Sequence, residues 1–103
     1  MIKRGDSLQP DECQNMPDIR REIDFIDRQI IEALGKRYKY VKAAAKFKTS
    51  ETEVRAPERF KTMLAQRRSW AIEHELSAEI VEKIFRDLVN YFINEEIKQW
   101  QNK

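Results

Sequence analysis

Residues 17–48 read PDIRREIDFIDRQIIEALGKRYKYVKAAAKFK, and the spacing of their apolar side chains decides the fold. At about 100° per residue, Ile19, Ile23, Ile26, Ile30, Leu34, Val41 and Ala44 fall in one narrow arc, which predicts a single helix of about nine turns. Asn15 is placed to cap it, Pro17 suits its first turn, and Asp18 sets negative charge against the positive end of the helix dipole. Gly35 is the weak point of the interior, and Ala43, Ala44, Ala45 and Lys46 carry the helix to about residue 48. Arg37 and Lys48 lie within the apolar arc. An unpaired ion on a buried face is costly, so these two cations call for anions, either from the chain in ordinary ion pairs or from a ligand.

Outward from this helix, the chain reads as two more. Thr49-Ser50-Glu51-Thr52 has no apolar spacing, and Ala56-Pro57-Glu58 is a good helix start, so 49–56 is predicted to be a loop beside Lys48 and a candidate lid. Phe60, Met63, Leu64, Arg67, Trp70 and Ala71 carry a second helix to about His74. His74, the only histidine, suits the negative end of that helix dipole and is given no catalytic role. Ser77 caps a third helix from Ala78 to about Gln101, with Glu79 in its first turn. Its apolar residues, from Ile80 and Val81 to Phe92 and Ile93, cover most of its circumference, which predicts burial on more than one side. Phe85, Val89 and Phe92 share a face with Glu96, while Glu95 ends the arc of Ile84, Leu88 and Tyr91. Each carboxylate has a solvent-facing reading as well as a functional one.

The fold class expected is therefore all-α. The 103 residues, 41% hydrophobic and 37% charged with two glycines and three prolines, suit a foldable helical chain. Residues 1–15, aperiodic and polar, read as a flexible N-terminal arm, and 16–103 as the helical domain. The net charge of +2 comes from interspersed charges, which argues against a nucleic-acid partner. Neither a leader nor a membrane span is recognisable, so the expectation is a cytoplasmic protein without a membrane partner. Cys13 stands alone in a polar segment, and neither a metal nor a cofactor is expected.

A helix of about 32 residues is about 48 Å long, whereas a compact domain of this size has a radius of gyration near about 13 Å. One chain cannot cover such a stripe. An antiparallel copy of the same helix is the simplest two-fold solution, and an intertwined homodimer is predicted.

The order Asp18-Ile19-Arg20, Ile23-Asp24-Phe25-Ile26-Asp27, Arg37, Lys48, Ala56-Pro57-Glu58-Arg59 and Glu95-Glu96-Ile97-Lys98 resembles the all-helical chorismate mutase family, most closely its isochorismate pyruvate lyase branch. The resemblance spans residues 13–101. It implies an intertwined dimer of three-helix chains whose active sites are each built from both copies. Arg37, Lys48 and Arg59 of one chain, with Arg20 of the other, would line a pocket for a dicarboxylate, isochorismate or chorismate. The lyase would break the ether bond as a hydrogen moves from ring to enolpyruvyl methylene, giving salicylate and pyruvate in one pericyclic step. Arginines would clamp the carboxylates and Lys48 would donate to the ether oxygen.

Two departures refine this expectation. Mutases of the family usually carry Asp where Ala56 stands and Glu where Phe60 stands, acceptors that help hold the hydroxyl of chorismate, so their loss fits the lyase, with slow mutase activity alongside. Glu96 stands where the lyase branch usually has a Gln that donates to the ether oxygen. Only a protonated Glu can donate, so activity is expected to fall as pH rises. A dedicated chorismate mutase and a non-catalytic helical dimer or ligand-binding module are the alternatives.

Overall fold

The computed structural model describes residues 7–102, and all regular structure among them is helical. Residues 1–6 of the expected arm lie outside the described residues. The chain divides into two compact units, one ending at Arg37 and the other beginning at Tyr38.

In the first unit, residues 7–15 form a local turn. Pro10–Glu12 is a short 3₁₀ segment closed by two bonds: the Gln9 N–H donates to the Glu12 carboxylate at 2.6 Å and the Glu12 N–H to the Gln9 carbonyl at 2.9 Å. Helix α1 spans Met16–Ala44. Asn15 caps it as its side-chain chemistry dictates, the Oδ1 accepting from the Asp18 N–H at 2.8 Å and so occupying one of the orphan donors of the first turn. The Asp18 carboxylate in turn accepts from the Gln14 N–H at 3.1 Å. No residue of α1 is buried. Ile23, Ile26 and Ile30, the centre of the apolar stripe, are 50%, 49% and 52% exposed.

The second unit holds the core. After the last turns of α1 the backbone tightens into a 3₁₀ turn at Ala45–Phe47. Helix α2 follows at Glu51–Arg55, α3 at Pro57–Glu73 and α4 at Ala78–Gln101. Val54 of α2, Met63 and Leu64 of α3, and Val89 and Ile93 of α4 form one buried cluster, flanked by Phe60, Phe85, Ile97 and Trp100. The Tyr38 ring stacks on Phe92 with centroids 5.5 Å apart. Ser77 caps α4, its Oγ accepting from the Ile80 N–H at 3.2 Å.

Two expectations are corrected here. The first helix stops at Ala44, four residues short of Lys48, because the tighter 3₁₀ turn buries Ala45 and turns Phe47 out to solvent at 80% exposure. Lys48 is therefore extended, at φ −96° and ψ 140°, and the helical wheel does not reach it. The segment 49–56 is not an open loop but contains α2. Ser50 caps it by accepting from the Glu53 N–H at 3.1 Å, and the Thr49 hydroxyl donates to the Glu53 carboxylate. Within this single chain α4 buries one face and leaves Ile80, Ile84 and Tyr91 more than half exposed.

Between α2 and α3 the chain turns through a single residue, Ala56, at φ 40° and ψ 64°. This is the left-handed region, where a Cβ crowds the following carbonyl at a cost of roughly 1–2 kcal/mol.

Candidate active site

The two residues proposed for catalysis come together. Lys48 is extended at the end of the 3₁₀ turn, and its Nζ lies 3.3 Å from the Glu96 Oε2. Nζ also donates to the Glu53 carbonyl of α2 at 3.0 Å. Glu96 is buried at 6% exposure between turns that also bury Val89, Phe92 and Ile93. The solvent-facing reading of Glu96 is thereby overturned. Its neighbour behaves differently: Glu95 is half-buried and pairs with Lys98 at 3.3 Å.

The Lys48 ammonium thus has an anion from its own chain, and a ligand is not needed to neutralise it. A buried pair of this kind is costly to break from one side, because the partner left behind is an uncompensated ion. It also fixes the ammonium as a directed donor with one of its three N–H bonds spent on a neutral carbonyl.

The other predicted cations are placed individually. Arg59 is exposed in the first turn of α3, three residues after the left-handed Ala56. Arg20 is exposed on α1, and Arg37, half-buried, closes the first unit. Phe60 packs against the core cluster, with the Arg86 guanidinium 6.0 Å from its ring centroid.

A concavity of the second unit lies apart from this pair. A groove of about 570 Å³ between α3 and α4 includes Phe60, Arg68 and Arg86 but neither Lys48 nor Glu96. Its arginines are already compensated: Arg68 pairs with Glu79 and Glu82 at 3.3 and 3.2 Å, and Arg86 pairs with Glu82 at 3.2 Å. Chemistry, rather than size, favours the lysine and its carboxylate.

Two side chains outside the predicted set are placed by the structure, and one of them, Trp100, touches the site. Trp100, in the last turns of α4, donates its indole N–H to the Lys48 carbonyl at 3.0 Å. Arg67 lies over Trp70 and Phe85, with its guanidinium carbon 4.6 and 5.7 Å from the ring centroids. No spacing rule signals a bond across 52 residues; the sequence shows only that Trp100 and Glu96 are four apart on one helix face. Cys13 offers no nucleophile: partial burial, then the Asp18 and Glu22 carboxylates, push its thiol up, which disfavours the reactive thiolate. His74 is exposed at the C-terminal end of α3. No described helix is long and apolar enough to cross a membrane.

Comparison with known proteins adds an independent line. The sequence profile described as chorismate mutase type II matches residues 19–97. The chain is 47% identical over 92 residues to the isochorismate pyruvate lyase of Pseudomonas aeruginosa, an alignment covering 89% of this chain and 91% of that protein. It is also 36% identical over 72 residues to the T-protein of Haemophilus influenzae, covering 69% of this chain but 19% of that much longer protein.

Proposed function

Because this chain belongs to the chorismate mutase type II family, we propose that it is a carbon–oxygen lyase that converts isochorismate to salicylate and pyruvate. The substrate class follows from the family. The lyase assignment rests on the likeness to the Pseudomonas lyase, which spans nearly the whole of both chains. The observation that carries the mechanism is Lys48, whose ammonium is held between a backbone carbonyl and the buried Glu96.

The reaction needs a shape rather than a nucleophile. Arg37 and Arg59, with Arg20 of a second copy, clamp the two carboxylates of the substrate and fold the enolpyruvyl arm over the ring, removing entropy from the barrier. Lys48 turns a donor to the ether oxygen, where negative charge grows as the carbon–oxygen bond breaks and hydrogen moves from ring carbon to methylene. Glu96, the anion beside that ammonium, holds it in place. Ala56 and Phe60 offer no acceptor for the hydroxyl of chorismate, which favours isochorismate. The working unit is a cytoplasmic homodimer in which two α1 helices cover each other's stripes. The half-exposed Ile23, Ile26 and Ile30 support that arrangement.

A dedicated chorismate mutase is the second reading, favoured by the family profile itself. Product analysis separates the two. Purified protein is given isochorismate and chorismate separately over about pH 5 to 8. Salicylate with pyruvate, and slower prephenate from chorismate, is the expected result; prephenate alone would make the protein a mutase. Lys48→Ala is expected to lower turnover by about 100-fold or more, the usual loss when a preorganised donor is removed. Glu96→Gln, which keeps the length of the side chain but removes the anion beside Lys48, should change turnover in the same assay; an unchanged rate would remove Glu96 from the site.

A further inference from the structure

We propose that Trp100 is a positioning residue for Lys48, acting on the backbone of the lysine and not on its ammonium. The proposal rests on the reading of Lys48 as the catalytic donor. A lysine side chain has four rotatable bonds, so gripping the ammonium alone leaves the stem free to shift with it. Here both ends are held. The Lys48 carbonyl, released from helical pairing where the 3₁₀ turn ends, accepts from the Trp100 indole at 3.0 Å in a partly buried setting. The ammonium lies 3.3 Å from Glu96. Glu96 and Trp100 are separated by four residues of α4 and therefore project from one face, so a single rigid helix sets the distance between the two grips.

The alternative, that Trp100 is only an apolar wall, accounts for its packing against the core cluster but not for the N–H direction. A partly buried carbonyl without a donor is costly, and Trp carries just one N–H to spend. The indole is thus a rigid, directional strut from α4 to the residue that must be aimed. Its own ring atoms need not touch the substrate. Small misplacements of a catalytic group can lower rates severely, so a change at Trp100 should read out in turnover more than in substrate affinity.

The grip can be measured without activity. In a Trp70→Phe variant, Trp100 supplies the remaining indole N–H signal by NMR, and its exchange with solvent should be slowed by at least about tenfold relative to a free indole; exchange at the free rate would overturn the proposal. The consequence for catalysis is read with Trp100→Phe, which keeps a ring and deletes the donor. With isochorismate, kcat should fall by about tenfold while KM stays within about threefold. In the Lys48→Ala background the same substitution should cost less than about twofold, because the group it aims is gone. An equal loss in both backgrounds would mark Trp100 as structural only, and unchanged kcat in the single variant would likewise overturn the proposal. If the wild type yields no product from either substrate, the lyase and mutase readings fall instead, and the exchange experiment still decides the grip.

Discussion

The stripe of α1 and the α2–α3–α4 core are both written in the same apolar alphabet, yet they end in opposite states. In the core, Val54, Met63, Leu64 and Val89 are between 3% and 9% exposed, each covered by side chains of its own unit. On α1, Ile23, Ile26 and Ile30 have the right period and remain half exposed. Periodicity therefore reports which face of a helix seeks cover, not whether one chain provides it. The core is covered by its own unit, whereas the central isoleucines of the stripe are left half exposed, which is the observation behind the proposed homodimer.

The largest expected effect comes from breaking the stripe. Ile26→Asp would cost an isolated chain little, since half-exposed surface positions tolerate change within about 0.5 kcal/mol. In a homodimer it sets a charge on each side of the two-fold seam, and the molecular mass from light scattering should fall to that of one chain, with loss of activity. An unchanged mass and melting point would show that the stripe is not the interface. Leu64→Ala tests the other region. A buried Leu replaced by Ala leaves a cavity and costs about 3 kcal/mol, which should lower the melting point by the same amount at low and high protein concentration. A smaller shift than that of a surface control would mean that the core collapses around the gap.

A gain is expected at the junction within the core. Ala56 sits in the left-handed region, where Gly carries no Cβ penalty and also makes a better N-cap than Ala. Ala56→Gly should stabilise the protein by about 1 kcal/mol in denaturant unfolding, despite its greater freedom when unfolded; a lower midpoint would mean the turn is not strained. Asp, which tolerates the left-handed region better than Ala, would fit there too. The smallest effect concerns the exposed Glu79. Its own backbone N–H and the Arg68 guanidinium hold its carboxyl below the usual carboxylate range. A depressed carboxylate stabilises the folded state above its unfolded pKa, and that contribution is lost as pH falls through the folded value. The melting difference between wild type and Glu79→Gln should therefore be slight near neutrality and vanish on acidification. A difference that persists in acid would assign it to packing instead.

Much of this was legible in the sequence. Asn15, Ser77 and Pro57 marked the helix starts that the structure contains, and the arc of Phe85, Val89, Phe92 and Glu96 put the carboxylate on the face that is buried. What escaped was local. Helix α2 has five residues and places one of them, Val54, in the core, so it has no period to detect. The end of α1 is not legible because Ala45 and Lys46 are good helix formers, while the 3₁₀ turn depends on tertiary contacts that propensity does not contain. The partner of Lys48 is legible only as a chemical class, an anion. Its geometry depends on how α4 lies against the turn, and no spacing along the chain encodes that.

The indole-to-carbonyl bond also bears on the order in which the molecule becomes competent. Its two ends are separated by 52 residues, whereas the helices between them are stitched by contacts three or four residues apart. Local helices form in about a microsecond, but closing a long loop must wait until the intervening elements have packed, and its entropy is repaid only then. Helical structure can therefore be nearly complete before this bond closes, and if Lys48 has the proposed role, catalytic competence marks the closing of the fold and not its beginning.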